Sequence, residues 1–146
     1  NAFGKENLSY ITPKMIKECI KKPVTGIVRL IETIHFNKDH PENHNVCIKN
    51  LNSNYAQIHN GDKWILEKKE AVINKLVDKK SEIMEEYFDE HEEIFSGAQG
   101  GRYKRFQSNL EEEDPRLLNV LGKDLELSLY NNRDVMKKSN TKTIME

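Results

Sequence analysis

Three histidines (His35, His40, His44) and three asparagines (Asn37, Asn43, Asn45) fall within residues 35–45, with Pro41 and Glu42 among them. Two kinds of chemistry suit such a set. Neutral imidazole and thiolate are zinc ligands, and His40, His44 and Cys47 stand at i, i+4 and i+7 with His35 upstream, so these four define a metal-binding alternative. The ligands would, however, straddle a proline-containing loop instead of sharing one formed element. The other chemistry is amide bonding: Asn and His side chains cap the preceding helix and tie the loop to backbone groups. On that reading His35, Asn37, Glu42, Asn43, His44 and Asn45 form a structural or binding loop in which Glu42, Asn43 and Asn45 hold the backbone and position His44. This second reading is preferred, with no cofactor expected and no residue assigned as catalytic. A sharper enzymatic alternative is a metal-dependent nuclease, with His44 before a strand, a hairpin, and then a helix carrying Asn74. That helix offers no second histidine and no paired acidic ligand.

Arg102, Lys104 and Arg105, interleaved with Tyr103 and Phe106, make the one compact basic-aromatic cluster, a composition suited to phosphate and base contacts. The acidic run Glu111-Glu112-Glu113-Asp114 follows closely and would repel a phosphate backbone, so an amphipathic helix with a solvated basic face competes with nucleic-acid contact. Glu85-Glu86, Asp89-Glu90 and Glu92-Glu93 read as another solvated face. No glycine-rich phosphate loop or nucleophile motif is seen.

The elements that must position these residues follow from caps and periodicity. Thr12-Pro13 starts a helix whose apolar face is Met15, Ile16, Cys19 and Ile20. A second helix runs from about Val24 to Ile34, with Ile27, Val28, Leu30, Ile31 and Ile34 as its stripe. After the loop the period changes to that of strands: Val46 and Ile48 with Leu51, then Tyr55–His59, then Trp64–Leu66, with Asn60-Gly61 turning a hairpin. From about Glu67 to Phe95 the pattern is helical, as one long helix or two with a bend at Asp78-Lys79-Lys80-Ser81. Gly97 to Gly101 reads as a flexible break, Arg102 to Leu110 as a short helix, and Asp114-Pro115 as the start of a helix carrying Leu117, Leu118, Leu121, Leu125 and Leu129. The expected fold is therefore α+β, mainly helical with a small three-stranded antiparallel meander. Residues 1–131 form a single compact domain and 132–146 a polar, disordered tail.

Composition agrees with this and excludes several classes. With 146 residues, 36% apolar and 32% charged, and a net charge of −1, the chain can bury one modest core and carries no global basic field for nonspecific nucleic-acid binding. No apolar run approaches the ~18 residues of a membrane span. Cys19 and Cys47, far apart and without a CxxC pair, are expected to be reduced, buried thiols of an intracellular protein, and no secretory signal opens the chain. Ile83, Met84, Tyr87, Phe88, Ile94 and Phe95 give more apolar surface than a small sheet covers, which predicts a homo-oligomer, a dimer through the long helix.

Ala2-Phe3-Gly4-Lys5-Glu6-Asn7-Leu8, His35-Phe36-Asn37, Pro41-Glu42-Asn43-His44-Asn45, Gly61-Asp62-Lys63-Trp64 and Leu127-Ser128-Leu129-Tyr130-Asn131-Asn132 occur in that order. Through them the chain resembles the carboxy-terminal domain of zinc-finger-like proteins of the nucleocytoplasmic large DNA viruses, of the mimivirus type. The resemblance runs from Ala2 to about Asn132; Ser96 to Gly101 departs from it, since relatives continue there with acidic and helical residues. It implies an amino-terminal zinc finger and an asparagine-rich tract ahead of this domain, which fits a chain starting at Asn1 without Met. It also implies nucleic-acid contact through that missing finger, other viral proteins as partners, and a place in the host cell at the viral factory or in the virion. It assigns no catalytic role to the His/Asn loop. The expected function is non-enzymatic self-association or partner binding; the alternatives are a nucleic-acid-processing domain built on the loop and a virion structural component.

Overall fold

The computed structural model describes residues 1–135. Five helices and a three-stranded antiparallel sheet give the α+β fold that periodicity predicts. An extended segment, 1–11, leads into α1 (Pro13–Lys21). Thr12 Oγ1 accepts the Met15 amide at 3.2 Å and Pro13 takes the first turn, where its missing N–H costs nothing. Pro23 likewise takes the first turn of α2 (Pro23–His35), there without a side-chain cap. α1 and α2 cross with Gly26 against the Cys19 backbone, so close that a Cβ at Gly26 would lie 2.0 Å from the Cys19 carbonyl oxygen. α2 supplies the centre of the core through Ile27, Leu30, Ile31 and Ile34.

The sheet runs β1 (Val46–Cys47), β2 (Tyr55–His59), β3 (Trp64–Lys68), in that spatial order. β1 is shorter than its alternation predicts: it pairs with β2 only over Val46–Cys47, and on the side away from β2 the Ile48 amide donates to Leu129 O of α5 (Pro115–Asn131) at 3.3 Å. Leu51, expected at the strand end, lies exposed in a turn. β3 instead runs two residues further than expected, since Glu67 and Lys68 pair with Ala56 and Tyr55. Gly61, at φ +98°, makes the hairpin, with Asn60 Oδ1 accepting the amides of Asp62 and Lys63, each at 2.9 Å.

α3 (Lys69–Glu90) follows β3 directly and is unbroken; Asp78-Lys79-Lys80-Ser81 does not bend it. It stops at Glu90, five residues short of the predicted end, and a 3-10 turn over Glu92–Ile94 follows. The glycine run expected to be a break is instead the first turn of α4 (Gly97–Glu111). Ser96 caps it by accepting the Gln99 amide at 3.1 Å while Gln99 Oε1 accepts the Ser96 amide at 3.1 Å. Such a reciprocal cap supplies the bonds that glycine's flexibility would otherwise forfeit. α4 buries Tyr103 and Phe106, and Tyr103 packs on Phe88 of α3. Phe88 lies 4.7 Å from Tyr103 and 5.4 Å from Phe95, ring centre to ring centre.

That packing corrects one expectation. Met84, Phe88 and Phe95 are buried and Ile83 and Tyr87 half-buried within the chain, leaving only Ile94 of the six well exposed. The apolar surface on which a long-helix dimer was predicted is thus mostly covered within the chain, with Tyr103 of α4 and Phe95 against Phe88.

α5 (Pro115–Asn131), capped by Asp114, buries Leu121, Leu125 and Leu129. Of the tail expected from 132, Asn132 caps α5, its Nδ2 donating to Ser128 O at 2.8 Å; Arg133 stands 3.7 Å above the Tyr130 ring; and Val135 packs on the core. The remainder, 136–146, lies outside the described residues. Cys19 and Cys47 are free and buried, and no described helix is long and apolar enough to cross a membrane.

Candidate functional site

The 35–45 loop folds around its own polar groups. Asn37 Oδ1 accepts the Asp39 amide at 2.9 Å, turning the chain after α2. Asn37 O accepts the His40 amide at 3.1 Å and the His44 Nε2–H at 2.6 Å, so the His44 ring closes the loop on itself. Burial depresses the His44 pKa and keeps its imidazole neutral. His40 turns outward: its ring stacks on Tyr10 at 3.6 Å, and its Nδ1 lies 2.9 Å from Glu42 Oε1. That contact holds the Glu42 carboxyl below its usual range.

Asn43 and Asn45 face inward and hold the leading segment. The Asn43 amide works as a two-way clamp. Its Oδ1 accepts the Asn7 N–H at 2.8 Å, and its Nδ2 donates to Asn7 O at 2.6 Å and to the Tyr10 hydroxyl at 3.1 Å. Tyr10 in turn donates to Ile34 O at 2.8 Å, at the end of α2. Replacing Asn43 by Ala leaves both backbone groups of Asn7 without their partner, at a cost of about 1–3 kcal/mol. We expect Asn43→Ala to lower the denaturation midpoint accordingly and to open residues 1–10 to limited proteolysis. A parent-like melt with an intact amino terminus would contradict the clamp.

Behind the loop lies a charged group that the loop sequence does not announce. His35 is wholly buried; its Nδ1–H donates to Asn45 Oδ1 at 2.9 Å, and its Nε2 accepts from Lys80 Nζ at 2.7 Å. Burial first, and the Lys80 ammonium second, hold His35 well below its usual pKa, so it stays neutral with the proton on Nδ1. Lys80 is pushed down to about 8 by burial, against the pull of Glu6. The Glu6 carboxylate is 3.9 Å from Lys80 Nζ, and its other oxygen accepts from Asn45 Nδ2 and from the Gly4 amide, each at 2.7 Å. A Glu6–Lys80–His35–Asn45 chain therefore runs from the leading segment through α3 to α2 and the start of β1.

A lysine with a lowered pKa beside a neutral histidine is a pairing that catalytic sites use. Here the Lys80 and Glu6 side chains are only 4% and 8% exposed. Two grooves on the described surface, about 880 and 590 Å³, are lined by other residues. The larger holds Asn74, the helix residue of the nuclease alternative, with Lys69, Asp78 and Glu126 and none of the loop histidines. The buried chain joins three segments of the fold, and its donors and acceptors are spent on one another.

The metal alternative also separates in space. His35 meets an ammonium, His44 a carbonyl and His40 a carboxylate, while Cys47 is a buried thiol pushed up to about 11 by desolvation. Among the described residues no three His, Cys, Asp or Glu side chains converge as a metal site. The basic cluster disperses as well. Arg102 donates to Lys21 O at 3.0 Å, Lys104 pairs with Glu92 at 2.5 Å, and Arg105 edges the smaller groove. Tyr103 and Phe106, the rings that would stack on bases, are in the core.

Lys80 and Glu6 were not among the residues singled out by sequence. A signal for Lys80 existed: it continues the stripe Ile73, Leu76, Val77, Met84 at helical spacing, and a lysine on an apolar stripe requires a buried partner. Glu6 carries no comparable signal. Comparison with family models, with curated proteins and with solved structures finds no match to this chain.

Proposed function

We propose that this domain is a non-enzymatic self-association or partner-binding module of a viral zinc-finger-like, nucleic-acid-associated protein. The observation that carries the reading is the outer face of the sheet. Strand alternation puts Tyr55, Gln57 and His59 of β2 beside Trp64, Leu66 and Lys68 of β3 on one side. On that side Tyr55 is 50% and Leu66 64% exposed, with Leu127 the most open large apolar side chains among the described residues. An aromatic and an aliphatic residue left in water on a formed sheet suit a protein contact. The loop, by contrast, spends its polar groups internally, which favours an architectural role over the nuclease alternative. The viral and zinc-finger association rests on the sequence resemblance alone.

In that setting a finger ahead of this domain would bind more tightly when the domain brings several fingers together, by raising their effective concentration. Sedimentation velocity from low to high micromolar concentration tests the module. We expect the mean mass to rise with concentration. A monomer throughout, in a preparation that also captures no partner protein through the sheet face, removes the reading.

A further inference from the structure

We propose that the smaller groove binds an acidic peptide segment of a partner protein, with one bulky apolar side chain on its floor and carboxylates on its rim. No residue of the sheet lines this groove, so the proposal goes beyond the sheet-face reading and stands apart from it.

The floor is apolar. Residues 102, 105, 106 and 109 share one face of α4 at helical spacing, and that face meets the first turn of α2 and Leu117 of α5 in the groove. Phe106 is buried, and Val24 and Leu117 are half-buried against the core. At about 590 Å³ the groove has the size of clefts that hold a small ligand, which suits one bulky side chain and its neighbours.

The rim is cationic. Lys22, Arg102 and Arg105 are exposed along it, and no acidic residue lines it among the described residues. None of the three is in an ion pair there; the described lysine pairs are those of Lys21, Lys69, Lys75, Lys80 and Lys104. One N–H of Arg102 donates to Lys21 O at 3.0 Å, which holds the guanidinium in place and leaves its other donors for a carboxylate. The first turn of α2 adds to this potential, because its N-cap Lys22 offers no side-chain acceptor to the amides at the positive end of the helix. The acidic turn after α4 stays out of the lining: Glu113 lines the larger groove, and Asp114 Oδ2 accepts the Leu117 amide at 3.1 Å. An apolar floor inside a rim of unpaired cations, on a chain of net charge −1, is complementary to an acidic segment with an apolar anchor. A nucleic-acid strand matches it less well. Lys104 pairs with Glu92, and the Tyr103 and Phe106 rings are too buried for bases to stack on them.

The test uses the whole chain and the fluorescence anisotropy of a labelled synthetic heptapeptide, phenylalanine at its centre and glutamate elsewhere. We expect saturable micromolar binding that weakens with added salt. Alanine in place of the central phenylalanine should weaken it about tenfold or more, the effect of losing one buried ring. Arg105→Glu should also weaken it about tenfold. Lys104→Glu makes the same change of net charge on the same helix but outside the groove, and should leave the affinity within about twofold. Circular dichroism melts confirm that each variant folds. No saturation by about 1 mM peptide, an alanine peptide bound as tightly, or equal losses in the two variants overturns the proposal. A labelled oligothymidylate that binds more tightly than the peptide, and is released by Arg105→Glu, overturns it in favour of nucleic acid. None of these outcomes touches the sheet-face reading, which sedimentation decides separately.

Discussion

Gly26→Ala should lower the melting temperature by roughly 10 °C, the size of shift that about 3 kcal/mol produces in a domain of this length. The reason is backbone against backbone. A Cβ at Gly26 would meet the Cys19 carbonyl oxygen at 2.0 Å, its carbon at 2.6 Å and its Cα at 2.7 Å. No rotamer can move those atoms aside, so α1 and α2 must separate. The core they share, Cys19 and Ile20 against Ile27, Leu30 and Ile31, would loosen with them. An interior helical glycine otherwise costs about 0.5–1 kcal/mol relative to Ala, so the same substitution in open space should stabilise. Gly122, in α5 with nothing within 4 Å of its would-be Cβ, is that control. Thermal melts followed at the helix band should move in opposite directions for the two variants. Equal or parallel shifts would show that the crossing is not as close as described.

The contrast between these two glycines marks how far the sequence could be read. Helices whose caps are written in residue types are placed correctly: Thr12-Pro13 and Asp114-Pro115 start α1 and α5 where a hydroxyl or carboxylate followed by proline predicts. The hairpin at Asn60-Gly61 is equally plain. What fails depends on groups far away in the chain. Gly26 is indistinguishable from Gly122 until α1 is laid across it. β1 pairs over only two residues, and the next amide, facing away from β2, is met by a carbonyl of α5. The aromatic residues of α3 look like surplus surface until α4 arrives. Its start was legible after all, in the Ser96-x-x-Gln99 box, but the glycines between drew the reading toward a break. At the loop, the roles of Asn43 and Asn45 follow from what asparagine does at turns. That they clamp residues 1–7, and that His35 leans on Lys80, follows only from tertiary contact.

Glu6→Gln should destabilise the domain by about 1–2 kcal/mol near neutral pH, because Lys80, already at about 8, then releases its proton and stays buried as the neutral amine. An amide oxygen in the place of Oε2 still accepts from both Asn45 and Gly4, so shape is kept and the countercharge to Lys80 is lost. Replacing both members, Glu6→Gln with Lys80→Met, should recover much of the loss. A methionine keeps the apolar stem within the stripe of Leu76 and Met84 and brings no charge to bury. If the two substitutions simply add in a double-mutant cycle, the residues do not act on one another across the 3.9 Å gap.

The titration of the parent gives an independent check. Lys80 holds its proton to about 8 in the folded chain, against 10.5 for the free side chain. Between those values the unfolded chain keeps a proton that the folded chain has released, so stability from this group rises with pH from about 8 upward. Cys47 works in the opposite sense. Its folded pKa of about 11 exceeds the 9.0 of a free thiol, so from pH 9 the unfolded chain ionises first and stability is lost. The sum is a gain of about 1 kcal/mol between pH 8 and 9; above 9 stability declines, because burial also raises the Cys19 thiol and the Tyr10 and Tyr103 hydroxyls. On the acid side His35 and His44, both lowered, withdraw stability as pH falls below 6.5. Urea midpoints measured across pH 6–10 should trace this rise for the parent. In Lys80→Met the rise between 8 and 9 should vanish and leave only the decline above 9. A parent profile flat from pH 7 to 9 would mean that Lys80 meets water, and that the Glu6–Lys80–His35–Asn45 chain does not close the core as its distances describe.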